Sequence, residues 1–365
     1  PPAHTYNYTR VGSSAASDVY KIQVFFKHSF SAGDGIVASE GFARISDLAG
    51  KRIAIQANGP HVDFVGRILS DGGLSFEDVE IVWVSGLTGD GDTPAAALAE
   101  GRADAAAVIL PDARFLTSGG AVGTGAEGSV AGATILISTQ EAASVIGDYI
   151  AVRADYFDAN REDIARMDNF FFQAAEEMGQ FLAQEGNADR AAMASLMASE
   201  FLGGLPQEEG VFLWQDAITD GWSGNARHFA DANEARRFEV LLDEINIALR
   251  GAGRLSAPAN LGVAGWDYTA LTEGLSNLDA RQIAAFDPEA AAAAVRKLRR
   301  TGQLEANTKI DFEVYFEPDS TAFPIALYAS DFEEILRLAA TYSGAIITVE
   351  GHSDPLHFLR REQAG

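Results

Sequence analysis

The sequence predicts an α/β protein with a helical C-terminal portion, followed by a small α+β unit. Three observations predict this class. Short apolar strands alternate with helices from residue 45 to about 150, which is typical of βαβ units around a parallel sheet. Apolar residues then recur at helical spacing from about 158 to 250. A strand, an amphipathic helix and a second strand follow from about 308.

Length and composition limit the classes of partner. The 365 residues suffice for two or three domains of roughly 150 residues each. With 27 Lys and Arg against 52 Asp and Glu, the formal net charge is −25. So acidic a chain repels phosphate backbones and anionic lipid, which argues against a nucleic-acid partner. The chain has no cysteine, so disulfides, Cys-ligated metals and thiol nucleophiles are excluded.

The sequence gives no indication of a membrane segment. It contains no run of 18 apolar residues, so we expect a chain that does not span a membrane. The first residues, Pro1-Pro2-Ala3-His4, have neither a basic nor an apolar stretch, so no signal peptide is predicted.

The elements of the first half follow from local pattern. Val24, Phe25 and Phe26 predict a short buried strand. Thr93 and Pro94 are a typical N-cap and first helical residue. Glycines are frequent between residues 117 and 132, which predicts a surface loop. Further strands are predicted at 51–56, 79–84, 105–109, 134–137 and 149–152, and helices after Pro60 and after Pro94.

The second half is predicted to be mainly helical. Helices are expected at 160–184, 187–202, 207–219, 231–250 and 289–299. The last unit has a predicted strand at 310–316 and another at 345–350. The helix between them is expected to bury a stripe formed by Phe332, Ile335, Leu336 and Ala339.

Two loops are candidates for ligand binding. Asn58, Gly59 and His61 lie where a strand gives way to a helix, and amide groups at a helix N-terminus favour an anion. The alternative is an ordinary turn. Ser31, Gly33 and Asp34 lie in a Gly-rich stretch, where glycine allows close backbone approach to a ligand. A plain turn is the alternative here too.

Asp112 is a further candidate, because it follows a strand at the sheet edge where open α/β sheets bind ligands. Its carboxylate could hold an ammonium group, but a helix N-cap is the interpretation that we favour.

The remaining motifs indicate no catalytic or metal chemistry. Asp90, Gly91 and Asp92 resemble part of a calcium loop but lack its later carboxylates. The six histidines show no metal-ligand spacing, and no Gly-x-Ser-x-Gly elbow occurs. We therefore predict no catalytic residue, no metal and no cofactor. Trp214 and Trp222 are expected to pack in a core rather than line a cleft.

Several segments in order resemble the second lobe of type II periplasmic substrate-binding proteins, in particular the nitrate, taurine and thiamine-precursor binders of ABC importers. The resemblance covers residues 31–155. The matching segments are Gly33-Asp34-Gly35-Ile36-Val37, residues 46–54, Gly101-Arg102-Ala103-Asp104-Ala105-Ala106 ahead of Leu110-Pro111, and Asp148-Tyr149-Ile150-Ala151-Val152. In that family the loops around residues 31–35 and 58–61 would be the hinge and part of the cleft.

The last segment is similar to the OmpA-like peptidoglycan-binding domain. The similarity lies in residues 311–316, the helix, and residues 347–354, which end in Glu350-Gly351-His352-Ser353-Asp354. The resemblance implies that Asp354 pairs with the ammonium group of diaminopimelate in the peptidoglycan stem peptide.

Together the resemblances imply a non-enzymatic solute-binding protein. Residues 1–300 would be the binding region with lobe two at about 36–148, 301–307 a linker, and 308–365 a partial OmpA-like domain. The expected partners are a small polar or anionic solute, an ABC permease and peptidoglycan, in the periplasm of a Gram-negative bacterium with an association to the wall or outer membrane. An envelope scaffold with a degenerate binding lobe is the alternative. An enzyme on the same fold, as in thiamine-precursor synthases, is a third hypothesis, which the lack of Cys and the scattered His residues disfavour.

Overall fold

The computed structural model describes most of the chain from residue 22 onward. The described residues are 22–89, 91–182, 184, 186–201, 217–278, 288–301, 315, 324–342 and 347. The predicted strands at 310–316 and 345–350 lie outside them except for Tyr315 and Ile347, as do the linker at 302–307, Trp214 and Asp354.

The described residues form nine strands and ten helices. The strands are β1 (Ile22–Ser31), β2 (Asp34–Ala38), β3 (Arg52–Gln56), β4 (Glu80–Val84), β5 (Ala105–Ile109), β6 (Thr134–Ser138), β7 (Gly147–Arg153), β8 (Ala217–Thr219) and β9 (Gly262–Val263). The helices are α1 (His61–Asp71), α2 (Pro94–Ala99), α3 (Leu110–Leu116), α4 (Ala154–Ala159), α5 (Arg161–Leu182), α6 (Ala188–Phe201), α7 (Trp222–Ala230), α8 (Phe238–Gly251), α9 (Pro288–Thr301) and α10 (Ala329–Thr341).

A five-stranded mixed sheet is the centre of lobe two, in the order β4-β3-β5-β2-β6. Strand β3 pairs in parallel with β4 and β5, as alternating strands and helices predict. The sheet is mixed because β2, which precedes the segment with the alternating pattern, runs antiparallel to both β5 and β6. Strand β2 enters this sheet directly from the other sheet and so arrives from the opposite end.

Lobe two has apolar layers on both faces of its sheet. On one face, Ile53 and Ile55 of β3 pack with Val65 and Leu69 of α1. On the other face, Val108 of β5 packs with side chains of α2 and α3. Because both faces are covered, β2, β3 and β5 read as nearly continuous apolar runs rather than alternating ones.

The chain passes twice between this sheet and the second one. The first crossover joins β1 to β2 through Ala32 and Gly33, and the second joins β6 to β7 through residues 139–146. They lie side by side, because the Ser31 amide donates to the Ile146 carbonyl at 2.8 Å and the Thr139 amide to the Asp34 carbonyl at 2.9 Å. The two lobes are therefore joined by two crossover segments that are hydrogen-bonded to each other.

The second sheet is built around β1, and together with the helices that pack on it we call it lobe one. Strand β7 pairs antiparallel along one edge of β1, while β8 and β9 pair with different parts of it. Its core is aromatic, with Phe25 and Phe26 of β1 packed against Phe157 of α4 and Phe172 of α5.

The helical region differs from the prediction between residues 207 and 250. Helices α5 and α6 are confirmed within two residues of the predicted ends. Of the helix predicted at 207–219, residues 207–216 lie outside the described residues, and the prediction is wrong for 217–219, which form β8 on the edge of β1. The helix predicted at 231–250 begins only at Phe238, and α7 precedes it. Polar turn residues at 231–237 separate the two helices.

Helix α10 packs on lobe two. Leu338 and Tyr342 join the same apolar core as Val65 and Leu69 of α1. The predicted stripe is wrong in register, because Leu336 is 63% exposed whereas Leu338 is buried. The contact with α1 fixes which side of the helix faces inward, and the local pattern could not show this contact.

The Gly-rich segment at 117–132 is a hydrogen-bonded loop beside α3. The Gly123 amide donates to the Ala133 carbonyl, and the Gly132 amide donates to the Gly123 carbonyl, both at 2.8 Å. A Cβ atom on Gly123 would lie 1.8 Å from the backbone oxygen of Val130. Only glycine fits this close approach.

We expect Gly123→Ala to lower the free energy of unfolding by about 1–3 kcal/mol or more, because the backbone of Val130 must move. Urea denaturation of the full chain measures this. Gly179→Ala is the matched control, since a Cβ there meets nothing within 4 Å in an exposed part of α5. The control is expected to gain about 0.5–1 kcal/mol. Equal effects of the two variants would contradict this account of the loop.

None of the described helices combines the length and apolarity needed to cross a bilayer.

Candidate functional site

Two loops and both crossovers meet at one edge of the lobe-two sheet. Strands β3, β4 and β5 are parallel, so their carboxyl ends share this edge. The register pairs Asp34 with Ile109 and Gly35 with Ser138, which brings the start of β2 and the end of β6 to the same place. Loop 57–60 and loop 85–93 follow β3 and β4 there.

Loop 57–60 has the form that the sequence predicted. It follows β3 and leads into α1, and Pro60 at the N-cap offers no side-chain acceptor to the first amides of the helix. Asn58 has φ of 66°, a left-handed conformation that Asn tolerates better than most residues. Its Oδ1 accepts from Nη2 of Arg254 at 2.7 Å, and the guanidinium of Arg254 lies over the ring of Trp83. Arg254, in the segment that follows α8, therefore holds loop 57–60 in place, while the Asn58 side chain remains exposed.

The structure brings Ser31, Gly33, Asp34 and His61 together. The Ser31 hydroxyl donates to Oδ2 of Asp34 at 2.5 Å, and the Gly33 amide donates to Ser31 Oγ at 3.1 Å. His61 Nε2 lies 2.7 Å from Oδ1 of Asp34. Because a carboxylate only accepts, Nε2 of His61 is the donor in this contact.

Burial separates these residues into two groups. His61 has no exposed surface and Asp34 is 7% exposed. Ser31 and Gly33 are half-buried, and Asn58 is exposed. A solute at the sheet edge could therefore reach loop 57–60 and the first crossover, whereas Asp34 and His61 are enclosed behind them.

Asp112 is not at a helix N-cap. The N-cap of α3 is Ile109, and Asp112 is the third residue of the helix. The carboxylate is half-buried, and its Oδ2 has no hydrogen-bond partner among the described residues. Burial raises the pKa of the Asp112 carboxyl. The N-cap interpretation is wrong because the chain turns into α3 directly at the end of β5, three residues earlier than expected.

Lobe one presents a buried polar cluster beside the crossovers. Lys27 of β1 is 3% exposed, forms an ion pair with Asp220 and lies over the ring of Phe30. Asn225 of α7 accepts from the Lys27 amide at 2.7 Å and donates to the Lys27 carbonyl at 2.9 Å. This exchange fastens α7 to the strand that leads into the first crossover.

A Tyr–His pair lies in the same region. The Tyr149 hydroxyl lies 3.0 Å from Nε2 of His228, and their rings stack. Burial, assisted by the charge of Lys27, lowers the pKa of His228 to about 3. His228 is therefore neutral at ordinary pH and acts as a packing and hydrogen-bonding group.

Sequence reasoning missed Lys27, Thr139, Asp220, Asn225 and His228. A signal for Lys27 exists in β1, where this charged residue directly follows the apolar run Val24-Phe25-Phe26. Nothing local indicates the others, because their partners lie more than 75 residues away in the chain.

The described residues show no metal centre. Within them, no group of three His, Cys, Asp or Glu could hold a metal ion. Asp92 of the fragment that resembles a calcium loop instead forms an ion pair with Arg102 and accepts from the Ser85 amide.

Two shallow depressions lie on lobe one, away from the sheet edge. One has a volume of about 380 Å³ and includes Val152 and Tyr156. The other, of about 410 Å³, includes Trp222 and Arg227. Trp222 also packs against the aromatic core of lobe one, as predicted, and its indole donates to the Tyr268 carbonyl at 2.8 Å.

Residues 8–174 match the model of the family described as NMT1/THI5 like. The matched stretch contains both crossovers and the whole lobe-two sheet, and it spans less than half of the 365 residues. It confirms the predicted similarity to substrate-binding proteins for this part of the chain. No curated protein matches the sequence.

Solved structures with detectable likeness include two sulfonate-binding proteins. The alkanesulfonate-binding protein SsuA from Xanthomonas axonopodis pv. citri, bound to MOPS, is 21% identical, with a TM-score of 0.40. That match covers 55% of this chain and 62% of the length of the Xanthomonas protein. A putative periplasmic sulfonate-binding SsuA from Methylobacillus flagellatus KT is 16% identical over 81% of this chain and 74% of its own, with a TM-score of 0.45.

An enzyme is among the similar structures as well. The desulfurization enzyme DSZB is 16% identical, covers 66% of this chain and 76% of its own, and has a TM-score of 0.38. At such identities and scores, none of these likenesses decides between transport and catalysis.

Proposed function

We propose that this chain is a solute-binding protein of an ABC importer, which closes two lobes over a small polar or anionic solute in the periplasm. The observation that carries the proposal is the double crossover at the carboxyl edge of the lobe-two sheet. Two adjacent chain segments joining two sheets allow a bending motion, and the strand ends beside them are where open α/β sheets bind ligands.

The proposed contacts come from loop 57–60 and the first crossover. Asn58 is exposed and Gly59 is half-buried, and they precede the N-terminus of α1, where amides favour a negative charge. Ser31 and Gly33 are half-buried at the edge of the same site. Asp112 contributes at the end of β5, where its buried oxygen is suited to a donor group of the solute.

The proposal includes attachment to peptidoglycan through residues 308–365. Its support is the Glu350-Gly351-His352-Ser353-Asp354 sequence, and Asp354 is the residue proposed to pair with diaminopimelate. Sedimentation of the full chain with purified peptidoglycan, compared for wild type and Asp354→Asn, tests this part alone. Equal sedimentation of the two proteins would contradict it.

A thermal-shift screen of the full chain tests solute binding. The probes are nitrate, bicarbonate, small sulfonates, amino acids, pyrimidines and muropeptides. A solute at 100 times its dissociation constant adds about 2.7 kcal/mol of stability, which raises Tm by a few degrees. A shift with a small solute that is lost in Asn58→Ala supports the proposed site. No shift with any small solute would favour the alternative, an envelope scaffold whose lobe does not bind solutes.

A further inference from the structure

A single residue, Asp34, connects three segments of the chain at the crossovers, two through its carboxylate and one through its backbone. Asp34 accepts from the Ser31 hydroxyl at the end of β1 and from the ring of His61 at the start of α1. Its own amide donates to Oγ1 of Thr139 on the second crossover at 2.9 Å, and its carbonyl accepts from the Thr139 amide at 2.9 Å. We call Ser31, Asp34, His61 and Thr139 the hinge clamp.

The burial of three of the four clamp residues argues against a direct role for these three in solute binding. His61 and Thr139 have no exposed surface, and Asp34 is 7% exposed. His61 immediately follows loop 57–60, so the ring that bonds to Asp34 fixes the point where that loop enters α1. A change in the hinge therefore reaches the loop through one side-chain contact.

We propose that Asp34 and His61 are positioning residues: their side chains fix the first crossover, whose backbone pairs with the second at Thr139, and couple its bending to the orientation of loop 57–60. Only one part of this inference rests on the proposed function, namely that the bending serves to capture a solute. The clamp itself is a property of the chain without solute, and it can be tested without one.

The test is amide hydrogen exchange of the full chain in the absence of solute. Asp34→Ala removes both acceptors, and His61→Phe keeps the ring volume but removes the donor. We expect the amides of Ser31, Gly33, Asp34 and Thr139 to exchange at least tenfold faster in both variants. Asp34→Asn keeps an acceptor for His61 and is expected to restore exchange to within about threefold of wild type.

Val65→Ala is the matched control, because Val65 is a buried core residue of α1 outside the clamp. It is expected to destabilise lobe two without selectively accelerating the crossover amides. The proposal is overturned if the clamp variants accelerate exchange evenly across lobe two, as Val65→Ala is expected to do, with no excess at the crossover amides. It is also overturned if Asp34→Asn behaves as Asp34→Ala does. Either failure leaves solute binding untouched, since the thermal-shift screen decides that separately.

Discussion

Replacing Asp71 with alanine is expected to lower the free energy of unfolding by about 3–5 kcal/mol, the range found when one partner of a buried ion pair is removed. The Asp71 side chain is 3% exposed and accepts from Arg67, Arg337 and Tyr342. Without it, two guanidinium groups lose a buried counter-charge. Because Arg337 and Tyr342 belong to the C-terminal segment, the variant also weakens the attachment of α10 to lobe two.

Urea denaturation measures the loss, and Tyr342→Phe separates one of its parts. That variant removes only the hydroxyl that donates to Asp71 at 2.6 Å, so we expect a loss of about 1–2 kcal/mol. Asp243→Ala is the control, because Asp243 is an exposed carboxylate on α8, next to Glu244 of the same ion-pair network. The control is expected to stay within about 0.5 kcal/mol of wild type. A loss no larger in Asp71→Ala than in the control would show that α10 does not dock through this carboxylate.

The second large effect concerns Asp168, which has no exposed surface in the lobe-one helix α5. Burial raises the pKa of Asp168 to about 8, against a smaller lowering by the indole of Trp266. The folded chain keeps this carboxyl protonated at pH values where the unfolded chain has released the proton. The contribution of Asp168 to the free energy of unfolding is therefore fully favourable below about pH 4, and it is lost as the pH rises through about 8.

We expect Asp168→Asn to remove this part of the pH dependence, because an amide does not titrate. Between pH 5 and pH 9, the variant should become more stable relative to wild type by several kcal/mol in unfolding free energy. This size follows because each unit of pKa shift corresponds to about 1.4 kcal/mol. Denaturation curves at both pH values measure it. Asp163→Asn, on the exposed side of the same helix, is the control for replacing a carboxyl group by an amide. A constant difference for Asp168→Asn would mean that Asp168 is already ionised in the folded chain.

Much of lobe two could be predicted because its signals are local. The capping of α2 by Thr93 is confirmed, with the Ala96 amide donating to the Thr93 hydroxyl at 3.2 Å. The turn after β3, the Gly-rich segment and the alternation of strands with helices also follow from neighbouring residues. The match of residues 8–174 to a known family agrees with the order of these segments.

What could not be predicted depends on residues far apart in the chain. The antiparallel direction of β2 follows from its pairing with β5 and β6, about 70 and 100 residues later. Asp34 and His61 were predicted as ligand contacts from their loops, and their mutual bond appears only when the sheet places the two loops together. Arg67 and Asp71 are visible in sequence as an i, i+4 pair, but the contacts of Asp71 with Arg337 and Tyr342 span 266 and 271 residues.

The central claim is that two lobes, joined by the two crossovers, close over a solute. The chain has no cysteine, so the pair Glu77→Cys and Asp158→Cys can be spin-labelled, one on each lobe and both at exposed positions. Double electron–electron resonance then gives the distance between the lobes, with and without the solutes of the thermal-shift screen. We predict that a shorter distance becomes populated with the solute that raises Tm. A distance distribution that stays the same with every solute would contradict closure of the lobes.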